Sequence, residues 1–128
     1  MNGSTAPDVT LERLHEIADA FARRDVEGIV NSFAEDGEFR NARGSDYWGQ
    51  SFKGKAAIRS YFAPLFASTG DVAWRHTSEF ICGNRAVTEW HRTATLGTGE
   101  RQEWLGCDLY TFRRGLIVMK DTYIKVVL

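Results

Sequence analysis

Asp108 is the residue whose setting first points to chemistry. It lies in Trp104-Leu-Gly-Cys-Asp-Leu-Tyr-Thr-Phe112, a strand-like stretch that is apolar on both faces. Alternation puts it on one side with Trp104, Gly106, Tyr110 and Phe112. Taking a carboxylate out of water penalises its charged form, so this group is expected to hold its proton more tightly than an exposed Asp. A carboxyl group of that kind suits general acid or base catalysis near neutral pH. The alternative is a structural Asp bonded to nearby backbone or paired with an arginine such as Arg40 or Arg92.

His76, in Val72-Ala-Trp-Arg-His-Thr77, is the second candidate. Histidine is the usual proton shuttle at neutral pH. Alternation places it with Trp74 and Ser78, opposite Arg75 and Thr77. If it faces the same hollow as Asp108, the two make an acid–base pair. On the next strand Glu89 and His91 alternate with Trp90 and Arg92, and the sequence leaves open which pair faces inward. His15 sits at the border of a helical apolar stripe. Tyr123, between Asp121 and Lys125, either enters a pocket or packs.

Other chemistries lack their signatures. The three histidines show no HxH or HExxH spacing, so no metal site is expected. GxSxG, a Walker loop and GxGxxG are absent. Gly97-Thr-Gly99 joins two strands and opens no helix, so it is not a phosphate cradle. Cofactor-free chemistry, or none, is what remains.

The elements that must position these residues follow from composition and pattern. The 128 residues, 43% hydrophobic and 12% aromatic, suit one domain, 1–128, with a proper core. With 16 basic and 17 acidic residues and a formal charge of -1 there is no basic stripe for nucleic acid. No apolar run approaches the ~20 residues of a membrane helix, and a soluble, cytoplasmic protein is expected. Residues 1–7 are polar and small; they are expected to be disordered rather than a signal peptide. Cys82 and Cys107 read as reduced core thiols.

A first helix is expected after a cap at Asp8 or Thr10, reaching Ala22, and a short second one over Val26 to Phe33 behind Asp25. A turn at Glu35 to Gly37 and a strand over Glu38 to Arg43 follow. Gly44 to Gly54, carrying Tyr47, Trp48 and Phe52, reads as irregular. A third helix over Lys55 to Ala67 presents Tyr61 on its inner side and is expected to be kinked or divided by Pro64. After Gly70 come four strands, Val72 to Cys82, Arg85 to Gly97, Gln102 to Arg113 and Leu116 to Val127. Consecutive hairpins imply an antiparallel sheet. Helices first and long strands afterwards make an α+β fold: a curved antiparallel sheet wrapped around N-terminal helices, with a pocket where the curl is deepest.

Three strings carry a resemblance: Ala22 to Asp36 (ARRDVEGIVNSFAED), Phe52 to Phe62 (FKGKAAIRSYF) and Gly106 to Ile117 (GCDLYTFRRGLI). In this order they resemble the nuclear-transport-factor-2-like superfamily, in its SnoaL-like and ketosteroid-isomerase-like branch, from Leu11 to Val126. The resemblance implies a cone-shaped, cystatin-like roll with a deep apolar pocket and a homodimer formed through the outer sheet face. It also implies a range of roles: isomerase, polyketide cyclase, dehydratase, epoxide hydrolase or non-catalytic binder. Asp108 is similar in position to the family's strand aspartate, and His76 resembles a pocket histidine of dehydratase members. The isomerase base falls at Asn41 and the isomerase tyrosine at Ile17, so steroid isomerisation by that mechanism is not expected. Asp121 lies one residue from where an epoxide-hydrolase set would need it.

The expectation is therefore a cofactor-independent enzyme acting by proton transfer on a small apolar organic molecule bearing a carbonyl or hydroxyl. Asp108 and His76 are its acid–base candidates. Asn41, Tyr47, Trp48, Tyr61, Trp104, Tyr110 and Tyr123 are candidates for substrate binding. The other possibility is a binding or accessory dimer of the same fold.

Overall fold

The computed structural model describes residues 6–68 and 71–128. The expectation of disorder for residues 1–7 therefore falls, for Met1 to Thr5, outside the described residues.

Thr10, extended in backbone, caps α1 (Leu11–Ala22) by accepting a hydrogen bond from the Arg13 N–H at 3.1 Å. Leu14, Ile17, Ala20 and Phe21 form its buried stripe. Asp25 caps α2 (Val26–Asn31) from the Gly28 N–H in the same way, and the helix ends two residues before the expected Phe33. Phe33 instead opens strand β1 (Phe33–Arg40). The turn expected at Glu35 to Gly37 is an irregularity inside this strand: Phe33 pairs with Ile117, but Glu38 already pairs with Met119. A β-carbon at Gly37 would lie 2.8 Å from the Ile117 carbonyl oxygen, so only glycine lets the strand close in there. The stretch read as irregular contains a short strand, β2 (Ser51–Lys53), which lengthens the sheet.

Helix α3 (Lys55–Ser68) runs on through Pro64 undivided. Proline removes one backbone donor, but burial of Ile58, Phe62 and Phe66 on both sides of it holds the helix together. Four strands follow: β3 (Asp71–Cys82), β4 (Arg85–Thr95), β5 (Arg101–Arg113) and β6 (Leu116–Ile124). They form the expected antiparallel meander, with β4 and β6 shorter than the pattern suggested. In the last turn Arg114 and Gly115 both have positive φ, 53° and 79°, the requirement of the tightest hairpins.

The six strands make one curved, unclosed sheet in the order β2-β1-β6-β5-β4-β3. It is not wholly antiparallel, because β1 lies parallel to β6. Long intervening chain, including α3, provides the crossover that a parallel pair needs. Helices α1 and α3 pack against the inner face, where Phe62 stacks on Phe39 at 5.1 Å and Phe21 meets Trp74 edge-on at 5.9 Å. The most deeply buried side chains include Ile29, Val30, Phe33, Phe112 and Ile117. They come from α2, the start of β1 and the β5–β6 hairpin. Cys82 is exposed at the end of β3 rather than in the core, and Cys107 is half-buried; both are free thiols.

Gly106 governs packing on the inner face. It pairs with Trp90, and the Trp90 indole lies across it. An added β-carbon would sit 2.5 Å from the ring and 2.6 Å from the Tyr123 carbonyl oxygen. Gly106→Ala is therefore expected to lower stability by about 1–3 kcal/mol, the usual cost of overpacking. Urea denaturation of the two proteins measures this directly.

Candidate functional site

On β3, β4, β5 and β6 the inward side chains fall into rungs set by the register. Trp74, Arg92 and Trp104 make one rung, and His76, Trp90, Gly106 and Ile124 the next. Thr88, Asp108 and Thr122 form the third. The question left open on β4 is thus resolved: Trp90 and Arg92 face inward and are buried. Glu89 and His91 face outward, where His91 pairs with Glu103 at 2.9 Å.

Between these rungs and helices α1 and α3 lies a cavity of about 260 Å³. Its lining includes Phe21, Phe39, Phe62 and Leu65 as apolar wall, and Asp108, His76, Lys120 and Arg92 as charged or titratable groups. This is small beside the ~300–1,000 Å³ of drug-sized ligand sites. It suits a molecule of one or two rings.

Asp108 is not the unpaired acid that its aromatic surroundings suggested. It is 3% exposed, and each oxygen is engaged. Oδ1 accepts from Lys120 Nζ at 3.0 Å and from the Thr122 hydroxyl at 2.6 Å, while Oδ2 accepts from the Trp90 indole N–H at 3.0 Å. Its partner is a lysine, not Arg40 or Arg92. Arg40 instead bonds Glu38 at 2.9 Å. Lys120 is itself 5% exposed and donates also to Thr122 at 2.9 Å. Its ammonium lies over the faces of Phe21 and Phe39, 5.1 and 4.8 Å from their centroids.

His76 faces this cavity without a hydrogen bond to either ring nitrogen among the described residues. Burial pushes its pKa below the ordinary 6.5, partly opposed by the nearby negative charge of Asp108. At neutral pH the ring is therefore an uncharged imidazole with a lone pair available. Ser78 does not share its face. A bulge between His76 and Ser78 shifts the phase, so Glu79 rather than Ser78 comes next on the half-buried side. Glu79 bonds His15 on α1 at 2.7 Å.

Of the other candidates, Asn41, Tyr61 and Trp104 line the cavity. The Asn41 side-chain amide donates to the Tyr61 hydroxyl at 3.2 Å, and burial raises the Tyr61 pKa, so its hydroxyl stays protonated. Tyr110 does not line it; it is a core residue packed on Phe112 at 5.4 Å. Tyr47 and Trp48 pack on each other on the outer surface, Tyr47 being 96% exposed. Tyr123 points outward and donates to Asp121 at 3.3 Å. These four thus lie away from this cavity; an aromatic side chain in a loop or strand does not reveal its direction in the sequence.

Sequence reasoning missed Lys120 and Thr122. Counting inward positions from buried Ile117 by twos would place Lys120 outside. An extra residue between the Met119–Thr111 and Ile117–Phe112 pairs resets the phase and turns Lys120 inward. Alternation of Lys120, Thr122 and Ile124 opposite Asp121 and Tyr123 was the available signal.

The chain shares its sequence pattern and its fold with known proteins. It belongs to the SnoaL-like domain family, whose model matches residues 14–119. Solved structures of nuclear-transport-factor-2-like proteins and related enzymes share its fold. One is an NTF2-like protein of unknown function from Burkholderia pseudomallei, with a TM-score of 0.79 and 17% identity over 90% of this chain and 89% of that one. Another is SalBIII, an epoxide hydrolase/cyclase-like enzyme in pyran ring formation of salinomycin, with a TM-score of 0.76 and 20% identity over 90% and 89%. A third, an LEH-like epoxide hydrolase from M. tuberculosis, has a TM-score of 0.74 and 13% identity over 90% and 81%. At these identities the likeness is one of fold. No curated protein matches the sequence. Among the described residues no helix is long and apolar enough to cross a membrane, and no metal-binding cluster is found.

The Asp108–Lys120 pair carries a clear energetic expectation. Lys120→Met removes one charge and strands the other, which should cost about 3–5 kcal/mol. The double variant Lys120→Met with Asp108→Asn should recover a large part of that loss. Denaturant titrations of the wild type, the two single variants and the double variant give the coupling.

Proposed function

We propose that the protein is a cofactor-independent enzyme that moves a proton on a small, largely apolar molecule bearing a carbonyl or hydroxyl. Isomerase-, cyclase- and dehydratase-type steps are the class that such a site serves. The family and the enzymes that share its fold suggest this kind of chemistry. The observation that carries the reading is His76: an uncharged imidazole, without a hydrogen bond among the described residues, facing the cavity beside its apolar wall. A base needs an available lone pair within reach of substrate, and His76 offers one.

In this reading Asp108 has a different part from the free acid first expected. Its charge holds Lys120, Thr122 and Trp90 in place. Lys120, with two of its three N–H groups spent on Asp108 and Thr122, keeps one N–H to donate to an oxygen on which negative charge develops. The Tyr61 hydroxyl and Asn41 can orient a substrate oxygen.

A second reading, a non-catalytic binding domain, is favoured by the same full engagement of Asp108. The two separate on His76. Solvent-deuterium exchange into a panel of enolisable ketones and acids, followed by proton NMR, should show catalysed exchange. His76→Gln should reduce the rate by about 10²–10⁴-fold, the usual contribution of a general base. Because burial lowers the His76 pKa, the active neutral form persists at pH 7 and is lost on acidification through a midpoint below 6.5. A rate insensitive to His76→Gln would take the base's role from His76, and a panel that binds without exchange leaves the binding-domain reading.

A homodimer through the outer sheet face is part of the same proposal. Phe80, Leu105 and Tyr123 are each more than half exposed on outward positions of β3, β5 and β6, and covering them with a second copy would take that apolar surface out of water. Leu105→Glu should convert a dimer to a monomer in sedimentation-velocity runs. A wild-type protein that sediments as a monomer would refute it.

A further inference from the structure

The mouth of the cavity is chemically unlike its interior. Its rung places Arg92 of β4 between two indoles, 4.4 Å from the Trp104 centroid and 5.3 Å from that of Trp74. Arg92 is 6% exposed, yet it forms no ion pair among the described residues. Its one side-chain hydrogen bond is a long one, from Nη1 to the Gln102 amide oxygen at 3.4 Å. Four of its five N–H groups are thus left without an acceptor among the described residues. A buried guanidinium is normally paired, because desolvating a charge is costly.

The surrounding charge is one-sided. Asp108 is the sole acid lining the cavity among the described residues, and Lys120 already neutralises it. Arg43, at the rim, adds a second cation over the same Trp104 ring, 5.3 Å from its centroid, and among the described residues it too is without an ion pair. The Tyr61 hydroxyl completes the group of donors on this side. Cavity and mouth together thus carry two uncompensated positive charges and an imidazole held neutral.

We propose that this mouth is a carboxylate-binding site and that the ligand is a small apolar carboxylic acid. Arg92 takes the carboxylate with its fork of N–H groups, stiffened by the two indoles, and Arg43 closes over it from the rim. His76 lies one rung deeper, two residues along the neighbouring strand, which is about 7 Å. A carboxylate seated on Arg92 therefore leaves the apolar skeleton to run inward past His76, between Phe21, Phe39 and Phe62. The proposal rests on the cavity receiving a small molecule, not on catalysis.

The test uses the whole protein with 3-phenylpropanoate and its uncharged isostere 3-phenylpropanamide. Binding is followed by calorimetry and by the arginine Nε–H signals in nitrogen-15 NMR, with Arg92 assigned from the signal lost in Arg92→Lys. The acid should bind about tenfold or more tightly than the amide, as expected for charge-assisted hydrogen bonds. It should move the Arg92 signal, and the amide should not. In Arg92→Met the preference should vanish, whereas His76→Gln should keep it. Should Arg92→Met fail to fold, the wild-type shifts and the acid-to-amide ratio decide alone. Equal affinity for acid and amide, acid binding that leaves the Arg92 signal unmoved, or an acid that does not bind overturns the inference. An acid-selective protein with no exchange activity would instead refute the catalytic reading and leave this one standing.

Discussion

The buried ion pair between Asp108 and Lys120 constrains the rest of the structure. Each charge is tolerable in the interior only because the other is at 3.0 Å and because Thr122 and the Trp90 indole add further hydrogen bonds. That requirement reaches across the fold. Trp90 comes from β4, Asp108 from β5, Lys120 and Thr122 from β6, and the aromatic faces above the ammonium from α1 and β1. A one-residue slip between any of these strands would turn a charged partner to the opposite face. The pair therefore selects one register among those that the apolar residues alone would accept.

Given that anchor, the inner face grades from neutral to positive. At depth the charges of Asp108 and Lys120 cancel between apolar walls. Higher up, the imidazole of His76 stays uncharged because burial opposes its protonation. At the mouth the arginines stand uncompensated, held by indole faces instead of carboxylates. Gly106 makes this grading possible, since only the absent side chain leaves space for the Trp90 ring to reach Asp108.

Much of this was legible in the residues. The stripe of Leu14, Ile17 and Phe21, the caps at Thr10 and Asp25, and the alternation around Asp108 each state a local preference that tertiary packing did not overrule. The departures have a common physical origin. The bulges at His76–Ser78 and near Val118 insert single residues, and each reverses the phase beyond it. Ser78 was misplaced and Lys120 overlooked for that reason. The pairing of β1 with β6 joins residues about eighty apart, beyond any local signal. Asp108 drew attention through its apolar neighbours, but its partner sits on another strand, so solitude in sequence was mistaken for solitude in space.

The parallel contact between β1 and β6 also bears on how the molecule comes into being. Helices α1 to α3 and strand β1 are made early, yet β1 has no lasting neighbour except short β2 until β6 exists. Loop closure over that separation must be met before the contact rewards it, which slows folding relative to the local hairpins. Lys120 and Thr122 arrive on this same last strand. During synthesis, then, Asp108 waits without its counter-charge while the hairpins form around it. The site is completed in the same event that locks the sheet, so a population with a folded sheet and an unmade site should be short-lived.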